Sequence, residues 1–497
     1  MSKRPHLLIF NPDQWRGDVM GHMGDPGAKT PRLDQFAAED AVSFRHAYCQ
    51  NPVCTPSRCS FMSGWYPHVR GHRTMFHMMR PDEPVLLRNL KNAGYYVWWG
   101  GKNDLVPGQG SFHDYCQVKY SATADDYKRW DHKSAPDMHG STDWRGAPDG
   151  DNWYSFYVGK LEPPDDDLWF NGDWANVYGA IDVINHYDPE SDAPLCLYLP
   201  LGFPHPPYGV EDPWYSMIDP DEVPTRTPTP TEEQWQGKPS LLRGIYARQR
   251  MEGWTEERWR ELRRTYYGMC ARVDHQFGMV IDALKAKGLY DDTAAFFFSD
   301  HGDYTGDFGL VEKAQNAFDD SITRVPFMVK PPKNFACKPG VSEAMVELVD
   351  FSATVEAITG VDSTHDHFGK SLLPVIAGET MTHRDAVFCE GGRREGETQA
   401  MELQSRQTQS GLYWPRVNLQ QRLPEHTWAV MCRTATHKYV KRLCEQDELY
   451  DLKADPQELE NRIDDPALTP VLHEMKDRTL EFFAQTCDVV PRDTDSR

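Results

Sequence analysis

Over the first 380 positions, short continuous apolar runs alternate with runs that recur every three to four residues. His6–Phe10 is a continuous run broken by Asn11-Pro12-Asp13, which predicts a short buried strand. Thr30-Pro31 opens a helix with Thr as N-cap and Pro at the first helical position, and Leu33, Phe36 and Ala37 share one face. A second helix is expected just after Cys54, through Ser57–Ser63, ending at Gly64. Val85–Ala93 predicts a third helix, and Gly94–Gly100 the next strand. Leu195–Leu199 reads as a strand running into Pro204-His205-Pro206-Pro207. A long helix follows from about Thr255 to Lys287, stopped by Gly288. Ala294–Phe298 then leads into Ser299-Asp300-His301-Gly302. Strands alternating with helices imply an α/β fold: a large, mostly parallel mixed sheet flanked by helices. Residues 105–190, rich in Asp, Trp, Tyr, Gly and Pro with weak periodicity, read as surface loops. After about residue 380 the rhythm changes. Trp428–Arg433, Lys438–Arg442 and Glu448–Tyr450 predict a short antiparallel sheet, followed by a helix over Thr469–Thr486. The division expected is a catalytic α/β domain at 1–379 and a smaller α+β subdomain at 380–497.

Composition narrows the partners. The 497 residues carry 53 Lys plus Arg against 75 Asp plus Glu, a net charge of −22. That balance argues against nucleic acid and against long anionic polymers. No apolar run approaches the ~20 residues of a membrane span. Leu7–Phe10 is too short for the core of a signal peptide, and eleven cysteines is an odd number for a disulfide framework. The expectation is a cytoplasmic protein with no membrane partner; a homo-oligomer stays open.

Asp13 and Gln14 end the first strand, and Asp300 and His301 end another. Ligands gather at the carboxyl ends of strands in such sheets. Three oxygens and an imidazole there suit a divalent metal, calcium or magnesium by the oxygens, with manganese left open by the histidine. Cys54-Thr55-Pro56-Ser57-Arg58 sets a cysteine at a helix start, where backbone N–H groups favour negative charge. Arg58, one turn on, is placed to meet an oxyanion at the cysteine. Cys49 and Cys59 read as inert small hydrophobes, and their spacing around Cys54 is not that of a zinc site.

The pentapeptide resembles the Cys-x-Pro-Ser-Arg signature of formylglycine-dependent (type I) sulfatases of the alkaline phosphatase superfamily. Thr30-Pro31-Arg32-Leu33-Asp34, Pro204-His205-Pro206-Pro207-Tyr208, Ser299-Asp300-His301-Gly302, Gly309-Leu310-Val311-Glu312-Lys313, Arg324-Val325-Pro326 and the stretch from Glu448 to Asn461 are similar to further family segments, in the family's order. The resemblance implies a formylglycine made from Cys54 by a formylglycine-generating enzyme. It also implies a metal, calcium first and magnesium or manganese otherwise, held by Asp13, Gln14, Asp300, His301 and the modified Cys54. Arg58, Lys102 and Lys313 would neutralise the sulfate, and His205 would protonate the leaving oxygen. Two positions depart from the commoner pattern. Gln14 replaces a second Asp, and Asp104 replaces the His of a Gly-Lys-Trp-His motif, so that His72 or His77 is a candidate substitute.

The activity implied is hydrolysis of a small organic sulfate monoester, a sulfated saccharide foremost. Trp144, Trp153, Tyr154, Trp169, Trp174, Trp214 and Tyr215 are candidates to stack on a sugar, and Arg393 and Arg394 to hold a carboxylate or second sulfate. Asp13-Gln14-Trp15-Arg16 also resembles a stretch of phosphonate monoester and phosphodiester hydrolases, the first alternative. A non-catalytic anion-binding protein with unmodified Cys54 is the second.

Overall fold

The computed structural model describes residues 4–163, 168–189, 193–401 and 410–490. In chain order its strands are β1 (His6–Asp13), β2 (Val42–Tyr48), β3 (Tyr96–Gly100), β4 (Val118–Tyr120), β5 (Tyr157–Leu161), β6 (Leu195–Pro204), β7 (Tyr208–Glu211), β8 (Thr293–Phe298), β9 (Phe327–Lys330), β10 (Gly340–Glu347), β11 (Val387–Gly391), β12 (Ala429–Arg433), β13 (His437–Arg442) and β14 (Glu448–Asp451). Eight form one sheet in the order β10-β2-β9-β8-β1-β6-β3-β4. All neighbours in it are parallel except β9, which runs antiparallel to β2 and β8.

The principal helices are α1 (Pro31–Glu39), α2 (Cys54–Ser63), α3 (Leu86–Asn92), α4 (Gly172–His186), α5 (Glu256–Ala286), α6 (Asp350–Thr359), α7 (Trp414–Arg422) and α8 (Thr469–Thr486). Side chains of β1 explain the layering. Leu8 and Phe10 join the core with α1, α4 and α5, whereas Leu7 and Ile9 join the core with α2, α3 and α6. Successive strand residues face opposite sides, so a strand covered on both faces must be apolar throughout. The continuous run at His6–Phe10 is that signature.

The segment 105–190 departs from expectation. It contains α4, a regular 15-residue helix capped by Asn171, whose side chain accepts from the backbone N–H of Asp173 and Trp174. Gly179 sits where an added Cβ would lie 2.5 Å from the Tyr120 ring. Close packing on the sheet edge put Gly and Ala into this helix and blurred its periodicity.

The second sheet, β11-β12-β13-β14, is antiparallel throughout. Its last three strands match the sequence reading, and β11 is an addition. α8 closes over it, with Phe482 stacked on Phe388 at 4.0 Å. All eleven cysteines are free, as expected of a chain without a disulfide framework.

Candidate active site

β1 and β8 are adjacent and parallel, Phe10 opposite Phe297, so their carboxyl ends deliver Asp13 and Asp300 to the same place. The backbone N–H of Gln14 donates to Asp300 Oδ1 at 3.2 Å. β3 ends at Gly100, and Gly101 follows with φ +108°, where a Cβ would lie 2.3 Å from the Pro200 carbonyl. Only glycine allows this turn, and it carries Lys102 over the carboxyl end of the sheet, where it meets Asp13. The extension of β6 to Pro204 brings in His205. Three non-glycine residues around the site, Gln14 (φ 70°), Asp104 (φ 41°) and Glu312 (φ 68°), hold left-handed backbone, strain of the kind that collects at functional sites.

Cys54 begins α2, one residue before the start expected just after it, and its thiol is buried. Its Sγ lies 3.1 Å from His301 Nε2, 3.5 Å from Asp13 Oδ1 and 3.7 Å from Lys102 Nζ. Lys102 Nζ contacts Asp13 at 2.6 Å and Asp104 at 3.0 Å. Lys313 Nζ donates to Gln14 Oε1 at 2.6 Å and pairs with Glu312 at 3.0 Å. The Gln14 amide N–H donates in turn to Asp303, which also accepts from the Tyr208 hydroxyl. Arg58 differs from its expected part. It is fully buried, donates to Asp300 Oδ2 at 2.9 Å and meets Asp13 at 3.1 Å. Its guanidinium is spent on bracing the two carboxylates and does not line the pocket.

The donor set fits a divalent cation. One ligand atom each from Asp13, Cys54, Asp300 and His301 lie within 4.8 Å of one another. His301 Nδ1 donates to the Gly302 carbonyl at 2.9 Å, which leaves the Nε2 lone pair toward the cluster.

Electrostatics separates the cysteine from a thiolate nucleophile. Burial, reinforced by Asp13, pushes the Cys54 thiol far up despite its place at a helix start. Burial opposes the Lys102 cation, but Asp104 and Asp13 outweigh it and hold it well above the usual range. Burial and then Lys313 and Lys102 hold His205 well below the ordinary imidazole value. That direction runs against the expectation of a ready general acid in the free site. Its Nδ1 is anchored on the Pro206 carbonyl at 2.6 Å.

A pocket of about 630 Å³ opens above this floor, lined by Cys54, Lys102, His205 and Lys313 and walled by His139, Trp169, Tyr413 and Arg416 among others. Asp104 lines it, paired with Lys102. His72 and His77 do not. His72 is tied to Glu83 at 2.7 Å and His77 faces Glu397 at 3.8 Å, so neither replaces the missing histidine. Arg393 also lies elsewhere: it donates to the carbonyls of Gln420 and Gln421 and so caps the end of α7. Arg394 is exposed, its backbone N–H donating to Glu397, and does not line the pocket. Of the seven aromatic candidates only Trp169 lines it. Trp174 and Trp214 pack in the core, Tyr154 is buried and Trp153 lies against Arg145. Sequence reasoning missed His139, Tyr413 and Arg416, which stand on segments without a motif; Gly-flanked His139 in a loop of Pro and Asp carried the only hint.

A family model described as sulfatase matches residues 5–361. A choline-sulfatase of Rhizobium meliloti (strain 1021) is 26% identical over 479 residues, covering 93% of this chain and 83% of the relative. The multifunctional alkaline phosphatase superfamily protein PehA of Trinickia caryophylli is 25% identical over 526 residues, covering 98% and 96%. Among solved structures, a phosphonate monoester hydrolase of Agrobacterium radiobacter superposes with a TM-score of 0.76 at 23% identity, covering 97% of this chain and 96% of that one. This last likeness is one of fold.

Proposed function

The chain belongs to the sulfatase family of sulfuric ester hydrolases, and from that premise we propose that it hydrolyses a small organic sulfate monoester, a sulfated saccharide foremost, after oxidation of Cys54 to formylglycine. The observation that carries the reading is the setting of Cys54: a buried side chain at the start of α2 and on the floor of a pocket, its Sγ 3.1 Å from His301 Nε2, 3.5 Å from Asp13 and 3.7 Å from Lys102, with Lys313 lining the same pocket. Formylglycine, made by a formylglycine-generating enzyme, would supply a hydrated aldehyde as the nucleophile. A divalent cation, calcium first and magnesium or manganese otherwise, would be held by Asp13, Gln14, Asp300 and His301 and supply Lewis-acid polarisation.

The chain's own residues then divide the work. Arg58 fixes the spacing of Asp13 and Asp300. Lys102 and Lys313 hold the sulfate oxygens, each already oriented by a carboxylate or amide. Burial and then the two lysines lower His205; a bound sulfate would offset the lysine part of that shift and so favour a protonated His205 at the leaving oxygen. Eleven free thiols fit a reducing compartment, and we place the enzyme in the cytoplasm.

One observation favours a second reading. Gln14 within Asp13-Gln14-Trp15-Arg16 removes a negative charge from the floor, as in the phosphonate monoester and phosphodiester hydrolases that the stretch resembles. The test is turnover of aryl, choline and position-defined sugar sulfates against phosphonate monoesters at equal concentration, on protein whose residue 54 has been identified by peptide mass spectrometry. Phosphonate turnover well above that of every sulfate ester decides for the second reading. Unmodified Cys54 in protein from the native host decides for anion binding without catalysis.

A further inference from the structure

The pocket holds an imidazole that no family segment supplies. His139 stands on the loop after Asp131, and its ring centroid lies 6.0 Å from that of His205. Its backbone N–H donates to Asp137 Oδ1 at 3.0 Å, and its Nδ1 lies 3.4 Å from the Tyr413 hydroxyl. Its Nε2 has no hydrogen-bond partner among the described residues. His205 repeats this arrangement, Nδ1 anchored on a carbonyl. Both imidazoles line one cavity, the exposed His139 at its rim and the less exposed His205 deeper in. His205 follows directly on β6 among the strand ends that form the floor, whereas His139 stands on the wall loop, which places His139 toward the part of the substrate beyond the ester oxygen.

We propose that His139 is a specificity-determining residue whose Nε2 hydrogen-bonds a hydroxyl adjacent to the sulfate ester, selecting the monosulfate of a polyhydroxylated alcohol. The inference rests on the sulfatase reading above. Charge on the walls supports it. Each pocket carboxylate is engaged: Asp104 by Lys102, Asp173 by the backbone N–H groups of Gly202 and Phe203, and Asp137 by that of His139. Arg416, whose Nε is bound to Glu312 at 2.7 Å, is the sole wall arginine among the described residues, and Arg393 and Arg394 lie elsewhere. His139, the Tyr413 hydroxyl and the Trp169 ring supply the hydrogen-bonding and stacking groups that suit a sugar.

The test uses three substrates on formylglycine-bearing enzyme: a sulfated monosaccharide, its analogue lacking the hydroxyl next to the ester, and an aryl sulfate. Wild type should prefer the hydroxyl-bearing sugar over the deoxy analogue by about tenfold in kcat/KM. His139→Phe should erase that ratio and His139→Gln restore part of it. A ratio is unaffected by the fraction of active enzyme, which protects the test against a partly misfolded variant. The proposal is overturned if His139→Phe keeps the wild-type ratio, if its loss is the same on all three substrates, or if wild type cleaves aryl or choline sulfate and no sugar sulfate. Turnover of phosphonate monoesters with none of any sulfate ester would instead sink the sulfatase reading, and this proposal with it.

Discussion

The floor of the pocket and its walls are built on different physics. The floor is fixed by strand ends, a helix start and buried ion pairs: Asp13 meets Arg58 and Lys102, and Asp300 meets Arg58, all with little or no exposed surface on the carboxylates. Moving any of these groups would strand a buried charge, which costs several kcal/mol. The walls come from the 131–139 loop, the approach to α4 and the start of α7, and on the loop the contacts are longer and exposed, such as that of His139 with Tyr413 at 3.4 Å. A rigid floor can carry one chemistry for every substrate. Adjustable walls can choose among alcohols without disturbing it.

That contrast predicts large, substrate-independent losses on the floor. Cys54→Ala should lower kcat/KM by about 10⁴-fold or more on every ester, with circular dichroism and thermal melting close to wild type. Turnover near the wild-type rate in material free of host sulfatase would break the assignment of the floor. Next in size is the metal: Asp13→Asn and Asp300→Asn should each lose stoichiometric cation, read by elemental analysis, because carboxylates supply most of the compensating charge. Full metal content in both variants would remove the proposed site.

Lys313→Ala should cost roughly 10²–10³-fold, by the same factor for good and poor leaving groups, if the ammonium that donates to Gln14 on the floor also holds the sulfate as proposed. A loss that varies steeply with leaving-group pKa would assign it to the alcohol side instead. On the walls, Trp169→Ala should cost roughly threefold to tenfold on sugar sulfates and less on compact esters. Equal losses would move Trp169 from recognition to support. Smallest is His72→Ala, which should change kcat/KM by less than about twofold and lower stability by about 1 kcal/mol through loss of its Glu83 contact. A hundredfold fall in kcat/KM at unchanged melting temperature would return His72 to the site.

The sequence determined the strands that end at Asp13 and Asp300, the helix that starts at Cys54 and the long α5, because each depends on short stretches of chain. A strand buried on both faces must be apolar, and a helix start needs only its first turn, so neighbours in sequence suffice. The floor was legible for the same reason, since Asp13-Gln14, Cys54–Arg58 and Asp300-His301 each lie within a few residues. The tertiary structure alone decided what each floor residue faces: Arg58 bracing carboxylates, the Cys54 thiol pushed up by burial, His205 pushed down by burial and then by two lysines. It alone decided the walls as well. His139 and Tyr413 are 274 positions apart in the chain, yet their side chains meet. His72, close to Cys54 in sequence, is turned away to Glu83. Hydrogen bonds and desolvation act through space, so which loop covers a site is set by the packing of the whole chain and not by local pattern.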